Sequence, residues 1–270
     1  MLTYHPFTVK ICVDAIKLLG RTNISANDYQ IIAASIINLL SFYYGDENLF
    51  ESHNLTRLDY SVSLSEPNAY YRLELIKLLK KLPESHRRME QDKRFATTMG
   101  YESQSIEIIV YDKETERLDK KEQPQAYELN TLRAEVKLMN PHLYRICKKT
   151  GLPKQLKSFM NHDLFINKFE TYFFGIVRRG HYQTFEQALS IIASSELKKK
   201  EQEKLINFLK RIENEGFKEV KSTLSPKTYK KWMDKLDSIG LNPLLIPDNL
   251  NINCITGLYS KFLLTYEKLK

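Results

Sequence analysis

The sequence is poor in the residues that build disulfide or thiolate frameworks. Its three cysteines, Cys12, Cys147 and Cys254, lie more than a hundred residues apart, which suits neither paired bridges nor a clustered metal site. Nine glycines and nine prolines in 270 residues leave little room for flexible linkers or collagen-like repeats. No apolar run reaches the ~20 residues that a bilayer-spanning helix requires; the longest candidate, residues 31–44, is broken by Ser35, Asn38 and Ser41. The phosphate-loop, dinucleotide, CxxC, HExxH and GxSxG patterns are all missing, and the six histidines contain no His-x-His pair. The opening MLTYHPFTVK lacks the basic start and apolar middle of a secretion signal. A reducing, cytoplasmic setting with no membrane crossing is therefore expected.

What is present is a globular composition: 42% hydrophobic, 27% charged and 11% aromatic. Lys and Arg number 41 against 33 acids, a net charge of +8 and a pI near 9.1, which favours a polyanionic partner such as nucleic acid.

Along the chain, FTVKICV (7–13) alternates β-branched and apolar residues and predicts a strand. The helical periodicity that follows stops near Gly45, with Ser25 or Asn27 as its cap. Residues 57–64, 105–111 and 131–138 predict further strands, and residues 68–81 an amphipathic helix ended by Pro83. Beyond Pro141 the pattern is helical, over 163–177, 184–194, 196–214, 225–238 and 256–268. The expectation is an α+β fold: an antiparallel-sheet domain with flanking helices over residues 1–145, then a mainly helical region over 146–270, with the boundary where Pro141, Gly151 and Pro153 cluster.

Two carboxylates stand out, Asp59 in TRLDYSV and Glu135 in LRAEVKL, because each interrupts an apolar strand pattern and follows an arginine, Arg57 or Arg133, by two residues. Period two puts each arginine and its acid on one strand face. On neighbouring strands the acids could converge on a divalent metal while the arginines hold a phosphate; the alternative is a pair of structural salt bridges. Tyr111 ends the third predicted strand and is followed by Asp112 and Lys113. A strand-end tyrosine usually packs, yet its phenol can also attack a phosphodiester if a cation such as Lys113 lowers the cost of the phenolate. Lys227, Lys230, Lys231 and Lys235 line a predicted helix in a stretch, 198–235, with twelve basic and six acidic residues. That face is either a phosphate-contacting surface or a solvated one.

In order and spacing, LTRLDYSVSL, MGYESQSIEIIVYDKETER and NTLRAEVKL resemble the rolling-circle replication initiators of small plasmids and the related gene-II/X-type phage and plasmid replication proteins. The likeness covers roughly residues 55–140, and LSPKTYKKWMDKLDSIGL is similar to the helix-turn-helix-like tail of the gene-II/X type, here near 196–240. The resemblance implies a strand-nicking enzyme in which Tyr111 is the nucleophile, forming a 5′-phosphotyrosine link and freeing a 3′-hydroxyl primer. It implies Mg²⁺ or Mn²⁺ on Asp59 and Glu135, charge support from Lys113, Arg57 and Arg133, and origin DNA held by Lys227, Lys230, Lys231 and Lys235. Implied partners are double-stranded and extruded single-stranded origin DNA, a host helicase and polymerase, and a second copy of the chain. Ser63 stands where the family pattern has a second acid, and Lys10 and Cys12 where the first strand would offer one, so the metal site is either thinner than in the family or completed by a further group such as His142 or His53. A non-catalytic DNA-binding replication regulator on the same scaffold and a mobile-element relaxase are the competing readings.

Overall fold

The antiparallel pairing of the long strands follows from their alternation, because each carries one apolar and one polar face and must bury the first. The structure is a computed structural model that describes residues 9–82, 87–88 and 95–267. After α1 (Ala15–Leu19) and α2 (Tyr29–Tyr44), the strand β1 (Arg57–Ser65) leads into α3 (Ala69–Leu79). Then come β2 (Arg87–Arg88), β3 (Thr98–Glu102), β4 (Ile106–Asp112), the short helix α4 (Lys113–Asp119) and β5 (Thr131–Met139). These strands form a mixed-order, five-stranded antiparallel sheet, β1-β5-β4-β3-β2.

The second half is helical: α5 (Asn140–Thr150), α6 (Leu156–Phe159), α7 (His162–Lys168), a π-helical turn (Phe169–Phe173), α8 (Phe174–Val177), then β6 (Tyr182–Gln183) and α9 (Phe185–Ser194). The chain continues through α10 (Lys199–Glu215), α11 (Phe217–Thr223), α12 (Pro226–Ser238), β7 (Cys254–Ile255) and α13 (Leu258–Glu267). Leu224 and Ser225 separate α11 from α12: Ser225 Oγ accepts from Thr228 N at 3.2 Å, and Pro226 starts the second helix with its φ already set.

The apolar sheet face, with Tyr60, Val62 and Leu64 of β1, Ile108 and Val110 of β4 and Ala134, Val136 and Leu138 of β5, is continuous with the helical core around Phe159, Phe169, Phe173 and Phe262. Tyr60 Oη donates to the carbonyl of Phe159 at 2.6 Å across that junction. The predicted boundary between residues 145 and 146 falls inside α5, and one apolar cluster joins both segments. Among the described residues, 9–13 of the predicted first strand adopt no regular structure and 7–8 lie outside them, as does Pro83.

A buried ion pair closes the end of β4. Arg72 on α3 donates Nε to Asp112 at 2.7 Å, Nη2 to Glu114 at 2.9 Å and Nη1 to the carbonyl of Glu66 at 2.8 Å. Arg72 and Asp112 are both buried, so each is tolerable only because the other is present. Arg72→Met is expected to lower stability to urea by about 3–5 kcal/mol, whereas the exposed Lys227→Ala change should stay within about 0.5 kcal/mol; equal midpoints for the two variants would contradict the role given to this pair.

Candidate active site on the polar sheet face

Register decides what the polar face brings together. In one row across the sheet lie Thr98, Tyr111, Arg133 and Ser63; in the next Gly100, Ile109, Glu135 and Ser61; in the third Glu102, Glu107, Lys137 and Asp59. Tyr111 is thus directly opposite Arg133 and diagonal to Glu135. Its hydroxyl donates to Glu135 Oε1 at 2.7 Å, a bond between a phenol and an ionised acceptor.

Tyr111 is only 9% exposed, and Arg133 only 5%. Burial first, and then the charge of Glu135, push the tyrosine well above its ordinary range, while Arg133 opposes them. At neutral pH the side chain is therefore a neutral phenol with its proton aimed at a carboxylate. Arg133 donates Nε to Ser63 Oγ at 3.3 Å, and its Nη2 is buried with no hydrogen-bond partner among the described residues. An orphaned buried donor of this kind costs about 1–3 kcal/mol, and a planar guanidinium with a free edge matches a phosphate oxygen.

Two expectations change and one alternative holds. Lys113 is not a free cation beside the phenol: it is buried, binds Glu116 at 2.6 Å and lies 3.7 Å from Glu128. Its ammonium stands over the Tyr111 ring, 5.7 Å from the centroid, and the hydroxyl's partner is Glu135. Arg133 does not pair with Glu135; the partner of Glu135 besides Tyr111 is Lys137, at 3.4 Å. Arg57 does pair with Asp59, through Nε at 2.8 Å and Nη2 at 2.7 Å, on the open part of the face, as the salt-bridge alternative predicts.

Asp59 and Tyr111 are two strands and four residues apart, roughly 16 Å by strand geometry. Asp59 and Glu135 are diagonal neighbours, but one turns to Arg57 and the other to Tyr111, and the Lys137 ammonium lies between Glu135 and Glu107, 3.5 Å from the latter. Among the described residues no three His, Cys, Asp or Glu side chains converge as metal ligands, so this donor set does not fit a divalent ion as arranged. His142 and His53 do not complete it. His142 is buried on α5, 3.3 Å from Tyr172 Oη, and His53 Nε2 accepts from Leu156 N at 2.9 Å.

Lys137 and Glu107 are members of this face that the sequence reading missed. The signal was there in β5, where period two continues from Arg133 through Glu135 to Lys137. Of the four lysines expected on DNA, Lys227, Lys230 and Lys231 are exposed on α12, but Lys230 pairs with Asp234, and Lys235 is half-buried and bonded to Glu201 of α10 at 3.0 Å.

Comparison of the chain with protein-family models, with curated proteins and with solved structures gives no match. No helix among the described residues is long and apolar enough to cross a membrane.

Glu135→Gln removes the charge and weakens the hydrogen bond that favour the neutral phenol. Tyr111 should then titrate at lower pH than in the wild type, while burial keeps it above an ordinary tyrosine. A phenol whose pKa is raised by folding contributes stability that is present below its unfolded value of ~10 and lost as pH rises beyond it, so the alkaline loss should be smaller in the variant. Ring-labelled tyrosine NMR checks both points; identical titrations would remove Glu135 from contact with Tyr111.

Proposed function

We propose that this chain is a site-specific DNA strand transferase, an initiator of rolling-circle replication, that nicks one strand through Tyr111. The observation that carries the reading is the Tyr111–Glu135 hydrogen bond of 2.7 Å beside the unpartnered Nη2 of Arg133. A nucleophile, a proton acceptor in hydrogen-bond reach and a spare buried cation are the parts that phosphoryl transfer to a side chain needs.

In the proposed step the phenolic oxygen attacks phosphorus in line, and the O–H proton passes to Glu135. The new bond is Tyr111 Oη–P, and the bond that breaks is P–O3′. The leaving 3′-oxygen takes a proton from water, and the 5′-phosphate stays on the tyrosine. Arg133 holds a non-bridging oxygen and offsets the negative charge that gathers there. The ester energy is retained in the phosphotyrosine, so a 3′-hydroxyl can later reverse the reaction and rejoin the strand.

The competing reading, a DNA-binding replication regulator without catalysis, draws on the closure of Asp59 by Arg57. A relaxase of a mobile element shares the chemistry and differs in substrate. Supercoiled DNA carrying the replicon that encodes the chain separates catalysis from binding, in parallel reactions with Mn²⁺, Mg²⁺ and EDTA. The wild type should give relaxed circles bearing covalent protein, Tyr111→Phe none, and Glu135→Gln a rate lower by roughly 10²–10⁴-fold, the usual worth of a positioned base. Intact supercoils under every condition, with DNA still bound, would establish the regulator instead.

A further inference from the structure

Helix α5 and the turn after it carry an unneutralised basic surface that the sequence reading did not single out. Residues 140–168 contain Arg145, Lys148, Lys149, Lys154, Lys157 and Lys168 against one acid, Asp163. Elsewhere several surface cations are paired, Lys230 with Asp234, Lys235 with Glu201, Arg211 with Glu215 and Lys120 with Glu116, and those that are not, such as Lys227 and Lys231, have acids close by in sequence, as in Asp234. Among the described residues, none of these six makes a salt bridge.

Arg145, Lys148 and Lys149 stand at i, i+3 and i+4, on one side of the helix. Lys148 and Lys149 also suit the negative helix end, but that does not account for Arg145, Lys154, Lys157 or Lys168. The mutual field is visible inside the protein: burial first, then Lys168 and Arg145, pull His142 down to about 4, and burial and Lys149 lower Lys168.

Two apolar features adjoin this charge. Tyr144, one residue before Arg145, is 60% exposed. A cleft of about 570 Å³ opens between α5 and α7, with Ile146, Leu152, Met160 and Leu164 as its apolar lining and Lys157 and Asp163 as its charged residues. An open ring and an apolar slot flanked by unpaired cations match a polymer that has anionic links and unstacked planar bases. A duplex offers the charge but keeps its bases stacked inside.

We infer that the surface formed by Tyr144, Arg145, Lys148, Lys149 and the α5–α7 cleft binds single-stranded DNA. It is tied to the candidate active site through Arg145, whose Nη2 donates to Ser105 Oγ at 2.6 Å. Ser105 immediately precedes β4 and lies six residues before Tyr111, roughly 20 Å away by strand geometry, a span that a few nucleotides cover. The surface thus holds the strand that flanks the nick. The inference rests on the proposed function for the identity of the polymer, but binding can be measured without any cleavage step, so a failure of Tyr111 chemistry would leave it standing.

The test is fluorescence anisotropy of a labelled oligothymidylate on the full chain over a series of salt concentrations. The triple variant Arg145→Gln, Lys148→Gln, Lys149→Gln should bind roughly tenfold or more weakly at low salt. Its log–log salt slope should be smaller by about 2, since each single-strand phosphate contact contributes ~0.7. Tyr144→Ala should weaken binding about tenfold and Tyr144→Phe should not, because stacking needs only the ring. Unchanged affinity and slope in the triple variant would overturn the proposal. So would a Tyr144→Phe loss equal to that of Tyr144→Ala, or a blunt thymidine–adenine duplex that binds as tightly as the single strand. Melting followed by circular dichroism confirms that each variant is folded.

Discussion

The pairing register of β4 with β5 is the constraint on which the candidate site depends. Tyr111 faces Arg133 and leans on Glu135 because β4 and β5 pair Tyr111 with Arg133 and Ile109 with Glu135. A slip of one residue would send one strand's polar set into the apolar core, and the phenol would lose its acceptor and its cation together. The same register buries Ile108 and Val110 against Val136 and Ala134 on the other face, so hydrophobic packing on one side fixes polar chemistry on the other.

Holding the end of β4 takes charge as well as apolar area. Arg72, Asp112 and Glu114 lock the strand end to α3, and Lys113, Glu116, Arg117 and Glu128 form a second paired group behind the Tyr111 ring. These ions cost desolvation and return geometry, since truncating one leaves another buried and unpaired. The segment after the tyrosine is therefore a scaffold for the phenol. Among the described residues, the orphaned donor beside this paired group is Arg133 Nη2, on the side where Tyr111 presents its hydroxyl to Glu135.

Much of the α+β fold was legible in the sequence. β1, β4 and β5 follow their period-two patterns, and α2 ends at Gly45, whose φ of 67° suits glycine. β3 escaped because Thr98 and Gly100 dilute its apolar alternation. α5 escaped because Pro141 was read as a boundary, although a proline in the first turn begins a helix. α4 escaped because its residues are almost all charged, and only ion pairing makes their burial affordable. The expected helix over 163–177 is interrupted by the π-helical turn at Phe169–Phe173, where five aromatic rings from Phe165 to Phe262 crowd together. At the site, the residue types Tyr111, Arg133 and Glu135 were visible, but their partners were not. Which acid meets which cation is set by cross-strand register, and this exchanged the expected Arg133–Glu135 pairing for Tyr111–Glu135 and Lys137–Glu135.

The most direct test of the account is to identify the residue that carries DNA. Protein incubated with single-stranded DNA from the genetic element that encodes it is digested with protease and nuclease, and the peptide bearing a residual nucleotide is sequenced by mass spectrometry. The account predicts a 5′-phosphate ester on Tyr111 within IEIIVYDK. A nucleotide on another tyrosine, such as Tyr101, Tyr127 or Tyr144, would contradict the assignment of the polar sheet face as the site of strand transfer.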